Sequence, residues 1–263
     1  MRGWPLWCAE LAGTALLVGV GCSLVILDFG VGSPVAALLP GLAARRAVTG
    51  FLFGGVGALI TVSPVGKVSG AHINPAVTLT FWLERRMSGV MALGYVAAQL
   101  AGAVAGALPL RLWGPMGASV AFGATLPGPA GEWAALLGEA GASFLLVAGL
   151  LVFVGHPRLR GYTPALFPPL YALLVWLEAP LSGTSTNPAR SLGPGLVAGD
   201  LHGWWIYWLG PLAGTLAAVS LRRGVPWARR LEIRVAKVFH FQHDPYGIFT
   251  EKSTPSQRPA SGQ

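Results

Sequence analysis

The chain has 263 residues, of which 53% are hydrophobic and only 11% charged. Soluble domains carry about a quarter charged residues, so this composition excludes an ordinary soluble fold. The net charge of +8 raises the question of a nucleic-acid partner, which the placement of the charges answers in the negative.

In chain order, stretches without charge cover residues 11–27, 47–66, 87–110, 140–155, 161–177 and 203–221. Several approach the ~20 apolar residues that cross a bilayer as a helix. The two shortest lengthen if Glu139 or Glu178 is admitted at an end. Six spans are therefore expected. The 37 glycines suit them, because small residues let membrane helices approach closely. The first apolar stretch is interrupted by Glu10 and has no clear cleavage site, so it is expected to stay in the mature chain. Cys8 and Cys22 form neither a disulfide pattern nor a metal spacing.

With the N-terminus inside, the inner segments hold Arg2, Lys67, Arg85, Arg86, Arg158, Arg160 and the basic tail from Arg222, whereas the outer ones hold Arg45, Arg46 and Arg111. Such asymmetry places both ends in the cytoplasm. The excess charge thus belongs to the lipid bilayer as partner, with no nucleic acid. The tail from Arg222 to Lys237 is expected to be solvated or to face headgroups. The last twelve residues read as disordered. A bias to Ala, Gly and Arg points weakly to a bacterial cell membrane.

The segment at 111–132 is too rich in Gly and Pro for a clean helix and divides the chain. Residues 1–110 form a first repeat, 111–132 an outer connecting loop, 133–221 a second repeat, and 222–263 a cytoplasmic tail. Each repeat holds three spans, an odd number, so the second enters from the opposite side. Ser69-Gly70-x-x-x-Asn74-Pro75-Ala76 recurs as Ser182-Gly183-x-x-x-Asn187-Pro188-Ala189, and Ala9-Glu10 is echoed by Gly138-Glu139.

Asn is a preferred helix N-cap and Pro a preferred first helical residue. Each Asn-Pro pair therefore starts a helix. The first, NPAVTLTFWL, stops at Glu84-Arg85-Arg86; ten residues make ~15 Å, half of a hydrocarbon core of ~30 Å. Two half-helices dipping in from opposite faces bring two N-termini together, and their positive partial charge repels cations and protons. The capping amides keep a donor for a neutral, oxygen-bearing solute.

SGAHINPAVT and NPARS resemble the signature loops of the aquaporin family, the major intrinsic proteins, over residues 7–221. AQLAGA (98–103) and WWIYWLGPLAG (204–214) are also similar to family segments. The resemblance implies an all-α integral membrane protein: six transmembrane helices plus two re-entrant half-helices in an inverted repeat. It implies a passive pore in each subunit of a homotetramer, without cofactor, metal or catalysis, for water and small uncharged solutes of the glycerol, urea or metalloid-acid class. Glu10, Glu139 and His72 take the positions of loop-holding residues. Arg190, three after the second Asn, takes that of the filter arginine, where fixed donors meet the solute and a positive charge bars cations. The remaining filter positions fall on Thr184, on Val175 and, by an ungapped count of twenty before Asn74, on Gly54. A slip of one residue puts Phe53 there instead, and the Gly54, Gly55, Gly57 cluster also suits helix packing. Gly54 with Val175 describes a wide filter. Ser191, Tyr207 and Trp208 are water-type markers. A strictly water-selective pore is the alternative; an ion-coupled transporter using Glu10, Glu139 or Glu178 is the rival from another class.

Overall fold

The computed structural model describes residues 3–247 and 249. Arg2 and the last twelve residues, expected to be disordered, lie outside them. Six long helices and two short ones set the architecture: α1 Trp4–Phe29, α2 Leu42–Val62, α3 Pro75–Leu83, α4 Gly89–Ala107, α5 Glu132–Gly155, α6 Thr163–Ser182, α7 Pro188–Ala198 and α8 Ile206–Gly224. Five helices are long and apolar enough to cross a membrane; α8 is the sixth long one and ends on Arg222 and Arg223. Leu59, Leu93, Leu137, Leu177 and Leu209 stand exposed along the outside, and Trp4, Trp133, Trp204 and Trp227 stand exposed near helix ends, the pattern of a lipid-facing belt with interfacial aromatics.

Small residues decide which helices meet. At Gly102 and Gly106 of α4 an added Cβ would collide with the α1 carbonyls of Leu11 and Ala15. Gly214 of α8 meets the α5 carbonyl of Ala140 in the same way, and Gly210 the Glu139 side chain. The third pair, Gly50 and Gly54 of α2, abuts the α6 carbonyls of Tyr171 and Phe167. All three are Gly-x-x-x-Gly contacts, in which a missing side chain admits a neighbouring backbone. The α1–α4 and α5–α8 pairs correspond between the two halves, and α2–α6 joins one half to the other.

The spans shift from their sequence limits for local reasons. The second begins at Leu42, ahead of Arg45, whose guanidinium donates to Asp28 O at 2.7 Å. It stops at Val62, because Ser63 precedes a proline and is extended (φ −71°, ψ 167°). The fifth runs on to Ser182, through Pro168, Pro169 and Pro180. The connecting segment is not featureless: it coils into short turns, and Ala121, Phe122 and Gly123 are all left-handed (φ 46°, 52° and 77°).

The tail corrects an expectation. Beyond α8 it turns back under the helix ends, where Ile233, Ala236, Lys237 and Val238 are buried. It packs with Leu6, Val77, Phe81, Tyr95, Val147 and Val219 in one apolar cluster. Its apolar residues lie among its charges and fit a hollow that only the assembled helices create, so average polarity misjudges it.

Candidate functional site

Both Asn-Pro turns cap as their chemistry demands. Asn74 Oδ1 accepts from Ala76 N at 2.8 Å, and Asn187 Oδ1 accepts from Ala189 N at 3.1 Å and Arg190 N at 3.3 Å. Pro75 and Pro188 open α3 and α7, and Ala76 and Ala189 are wholly buried. The two caps are cross-linked. Asn74 Nδ2 donates to Thr186 O at 2.9 Å, and Asn187 Nδ2 donates to Ile73 O at 2.9 Å. Each amide has a second N–H.

The loops leading to the caps share a backbone. Gly70, Ala71 and Ile73 are left-handed (φ 86°, 55° and 43°), as are Gly183, Thr184 and Thr186 (φ 81°, 55° and 53°). Non-glycine residues hold such angles only when their surroundings impose them. The imposing groups are Glu10 and Glu139, each with no exposed surface. Glu10 accepts from His72 N (2.9 Å), Ile73 N (2.6 Å) and Gln99 Nε2 (2.7 Å). Glu139 accepts from Ser185 N (2.6 Å), Thr186 N (2.8 Å) and Ser182 Oγ (2.7 Å). A second matched pair braces the loops from behind: Tyr95 Oη, absent from the sequence reading, donates to Ser69 O (2.7 Å), and Tyr207 Oη, expected there only as a water-type marker, to Ser182 O (2.8 Å). The spacings of 26 and 25 residues were the available signal.

His72 completes the first loop. Its Nε2 lies 3.0 Å from Ala236 O and its Nδ1 3.2 Å from Thr78 Oγ1, which accepts from Gln99 Nε2 at 2.9 Å. A carbonyl only accepts, so the imidazole is assigned the Nε2–H tautomer. In the second loop Ser191 Oγ meets Ser185 Oγ (2.6 Å) and Thr125 Oγ1 (2.7 Å). Trp208 is half-buried beside Tyr207 and Ser191. Glu178, 7% exposed, contacts Ser182 Oγ behind this loop.

A cavity of about 50 Å³ threads the centre, lined by Phe53, Tyr171, Asn74, Asn187, His72 and Val238 among others. That is room for about three or four waters in file. No carboxylate is among its lining residues. Beside the lining residue Phe53, Arg190, 4% exposed, donates Nη1 to Gly123 O at 2.7 Å, and its guanidinium carbon lies 5.5 Å from the Phe53 ring centroid. The Phe53 and Tyr171 rings stack at 6.2 Å, and Tyr171 Oη lies 2.9 Å from Thr186 Oγ1. Thr184 is buried.

Gly54 and Val175 stand differently from the wide-filter expectation. Gly54 borders the cavity with its backbone, but an added Cβ would lie 2.5 Å from Phe167 O. Val175 faces Gly50 across the α2–α6 contact and is not a lining residue. The ring against Arg190 is that of Phe53, the one-residue slip, and the Tyr171 ring, absent from the sequence reading, stacks on Phe53. Gly54→Phe is thus expected to lose folded protein rather than narrow the passage, read as a fall in detergent-extracted monodisperse yield. A normal yield with reduced solute flux would restore Gly54 to the filter.

The profile of the major intrinsic proteins matches residues 2–221. The chain is 33% identical over 210 residues to the probable aquaporin NIP4-2 of Arabidopsis thaliana, covering 80% of this chain and 70% of that one. It is 32% identical over 209 residues to nodulin-26 of Glycine max, covering 80% and 73%. In structure it is similar to the aquaglyceroporin from Plasmodium falciparum, with a TM-score of 0.69, 19% identity, and coverage of 86% of this chain and 98% of that one. The chain belongs to the major intrinsic protein family, the aquaporin-type membrane channels for water and small neutral solutes, which are not enzymes.

Proposed function

We propose that water passes in file between Asn74 and Asn187, and that solutes are sorted where Arg190 meets Phe53 and Tyr171. The cross-linked caps carry this reading: each Asn side chain is fixed by the opposite loop, lines the cavity, and has one N–H to spare. Both half-helices direct their N-termini to the same spot, which disfavours cations and protons. Arg190 supplies polar donors on the outer side, and the Thr184 hydroxyl lies beside the Glu178 carboxylate in the second loop. Phe53 and Tyr171 take the place of Gly54 and Val175 as the walls, so the passage is narrower than those two residues imply. Glu10, Glu139 and His72 hold the loops, and Ser191, Tyr207 and Trp208 support the second one.

The same reading divides the chain into repeats at 1–110 and 133–221, joined by 111–132 and followed by the tail 222–263. The spread of Arg and Lys supports both termini in the cytoplasm, in the cell membrane. Family membership supports a homotetramer. Ion coupling is disfavoured, because Glu10 and Glu139 are engaged with backbone N–H groups and are absent from the cavity lining.

Stopped-flow light scattering on proteoliposomes tests the proposal, with osmotic water flux compared with glycerol and urea uptake in one preparation. Water flux independent of any ion gradient, with slower uptake of uncharged solutes, is expected. Flux that needs a proton or sodium gradient would overturn it.

A further inference from the structure

The tail past α8 enters the cavity. Arg222 at the end of α8 pairs with Glu84 at the end of α3 and donates Nη1 to Leu231 O at 3.3 Å. Glu232 N then donates to Gly155 O at 3.1 Å, at the end of α5. Four residues on, Ala236 O takes the Nε2–H of His72, and Val238 N donates to Gly70 O at 2.9 Å. Val238 is one of the residues that line the cavity.

These contacts are made to groups of the first Asn-Pro loop. His72 Nε2–H is a donor and Gly70 O an acceptor at the tail-bearing end of the passage. A peptide carbonyl and a peptide N–H fill both, as the oxygen and hydrogen of a permeating molecule would. The apolar side of the same segment seats Ile233, Ala236, Val238 and Phe249 among the helix ends. Docking thus satisfies the loop and places Val238 at the cavity in one step.

We propose that residues 231–247 form an autoinhibitory plug, docked in the mouth of the pore with Val238 as its stopper. Lys237 makes the plug releasable. It has no exposed surface, its Nζ makes no hydrogen bond, and its nearest aromatic is the Phe249 ring at 4.6 Å. A buried ammonium whose Nζ makes no hydrogen bond weakens the docked state, partly offset by the ring and by the attraction of the Asp244 carboxylate. The first end of the plug is held outside the passage, by Arg222 on Leu231 O and by Gly155 O on Glu232 N. An equilibrium between docked and withdrawn forms sets the open fraction.

The inference rests on the channel reading, and the test separates the two. Osmotic water permeability per channel is measured on the full chain in proteoliposomes. Val238→Asp places a charge at the stopper and is expected to raise permeability roughly tenfold, the gain from a plug docked in about nine channels of ten. Lys237→Met removes the buried charge and is expected to lower it below wild type. A folded Val238→Asp channel with wild-type permeability overturns the plug. Should that variant not fold, a protease site inserted after the exposed Arg230 is cut after reconstitution and the peptide washed away. Permeability that rises on cutting and falls when peptide 231–247 is returned supports the plug; permeability unchanged by cutting overturns it. Absence of flux in every form overturns the plug and the channel reading together.

Discussion

Glu139→Ala is expected to abolish water flux by loss of the folded channel, and Glu10→Ala to do the same. Each carboxylate is wholly buried and accepts three hydrogen bonds, two of them from consecutive backbone N–H groups. Alanine leaves those donors without partners in a place water does not reach. Each orphaned donor costs about 1–3 kcal/mol, and three are orphaned at once. Native stabilities of about 5–15 kcal/mol leave little beyond that. The left-handed angles at Ala71, Ile73, Thr184 and Thr186 make the loss larger, because the loops hold those angles only while the carboxylates grip them. The readout is monodisperse yield together with flux per recovered channel. A variant that is well folded and conducts normally would show that the loops stand without the carboxylates.

Much of this site is legible in the sequence because its chemistry is local. Asn-Pro is a cap followed by a helix start wherever it occurs, and a repeated Asn-Pro between apolar stretches of half-span length has few other readings. Glu10 and Glu139 were legible as echoes of each other, since an acidic residue opening an apolar span needs buried donors. The walls beside Arg190 were not. Along a helix one residue turns the side chain by about 100°, so Phe53 and Gly54 face different neighbours. Which of them brings a side chain to the cavity depends on Gly50 and Gly54 closing on the Tyr171 and Phe167 carbonyls, a contact between helices far apart in the chain. Tyr171 was hidden for the same reason. The tail was least legible: Lys237 among arginines reads as solvent-facing, and its burial depends on a hollow built by α1, α3, α4, α5 and α8.

Phe53→Ala is the substitution expected to change what passes. The Phe53 ring lies against the Arg190 guanidinium and the Tyr171 ring, and behind it Gly21 of α1 leaves no room for a Cβ. Truncation removes the wall opposite Arg190 and leaves the arginine anchored on Gly123 O. Water, which already fits the passage, gains little. A solute of glycerol or urea size gains whatever steric barrier the ring imposed, and lowering a barrier by about 1.4 kcal/mol is a factor of ten in rate. The quantity to measure is the ratio of glycerol or urea permeability to water permeability. This ratio is independent of how many channels are plugged, because docking of the tail stops water and solute alike. It is expected to rise roughly tenfold in Phe53→Ala. Tyr171→Val should raise it on its own and add less than its full effect in the double variant, because both rings guard one opening. Tyr171→Phe, which keeps the ring and loses only the contact with Thr186 Oγ1, should leave it near wild type. A ratio unchanged by Phe53→Ala would put the narrowest point elsewhere, and Thr184 with Arg190 would then have to do the sorting without an aromatic wall.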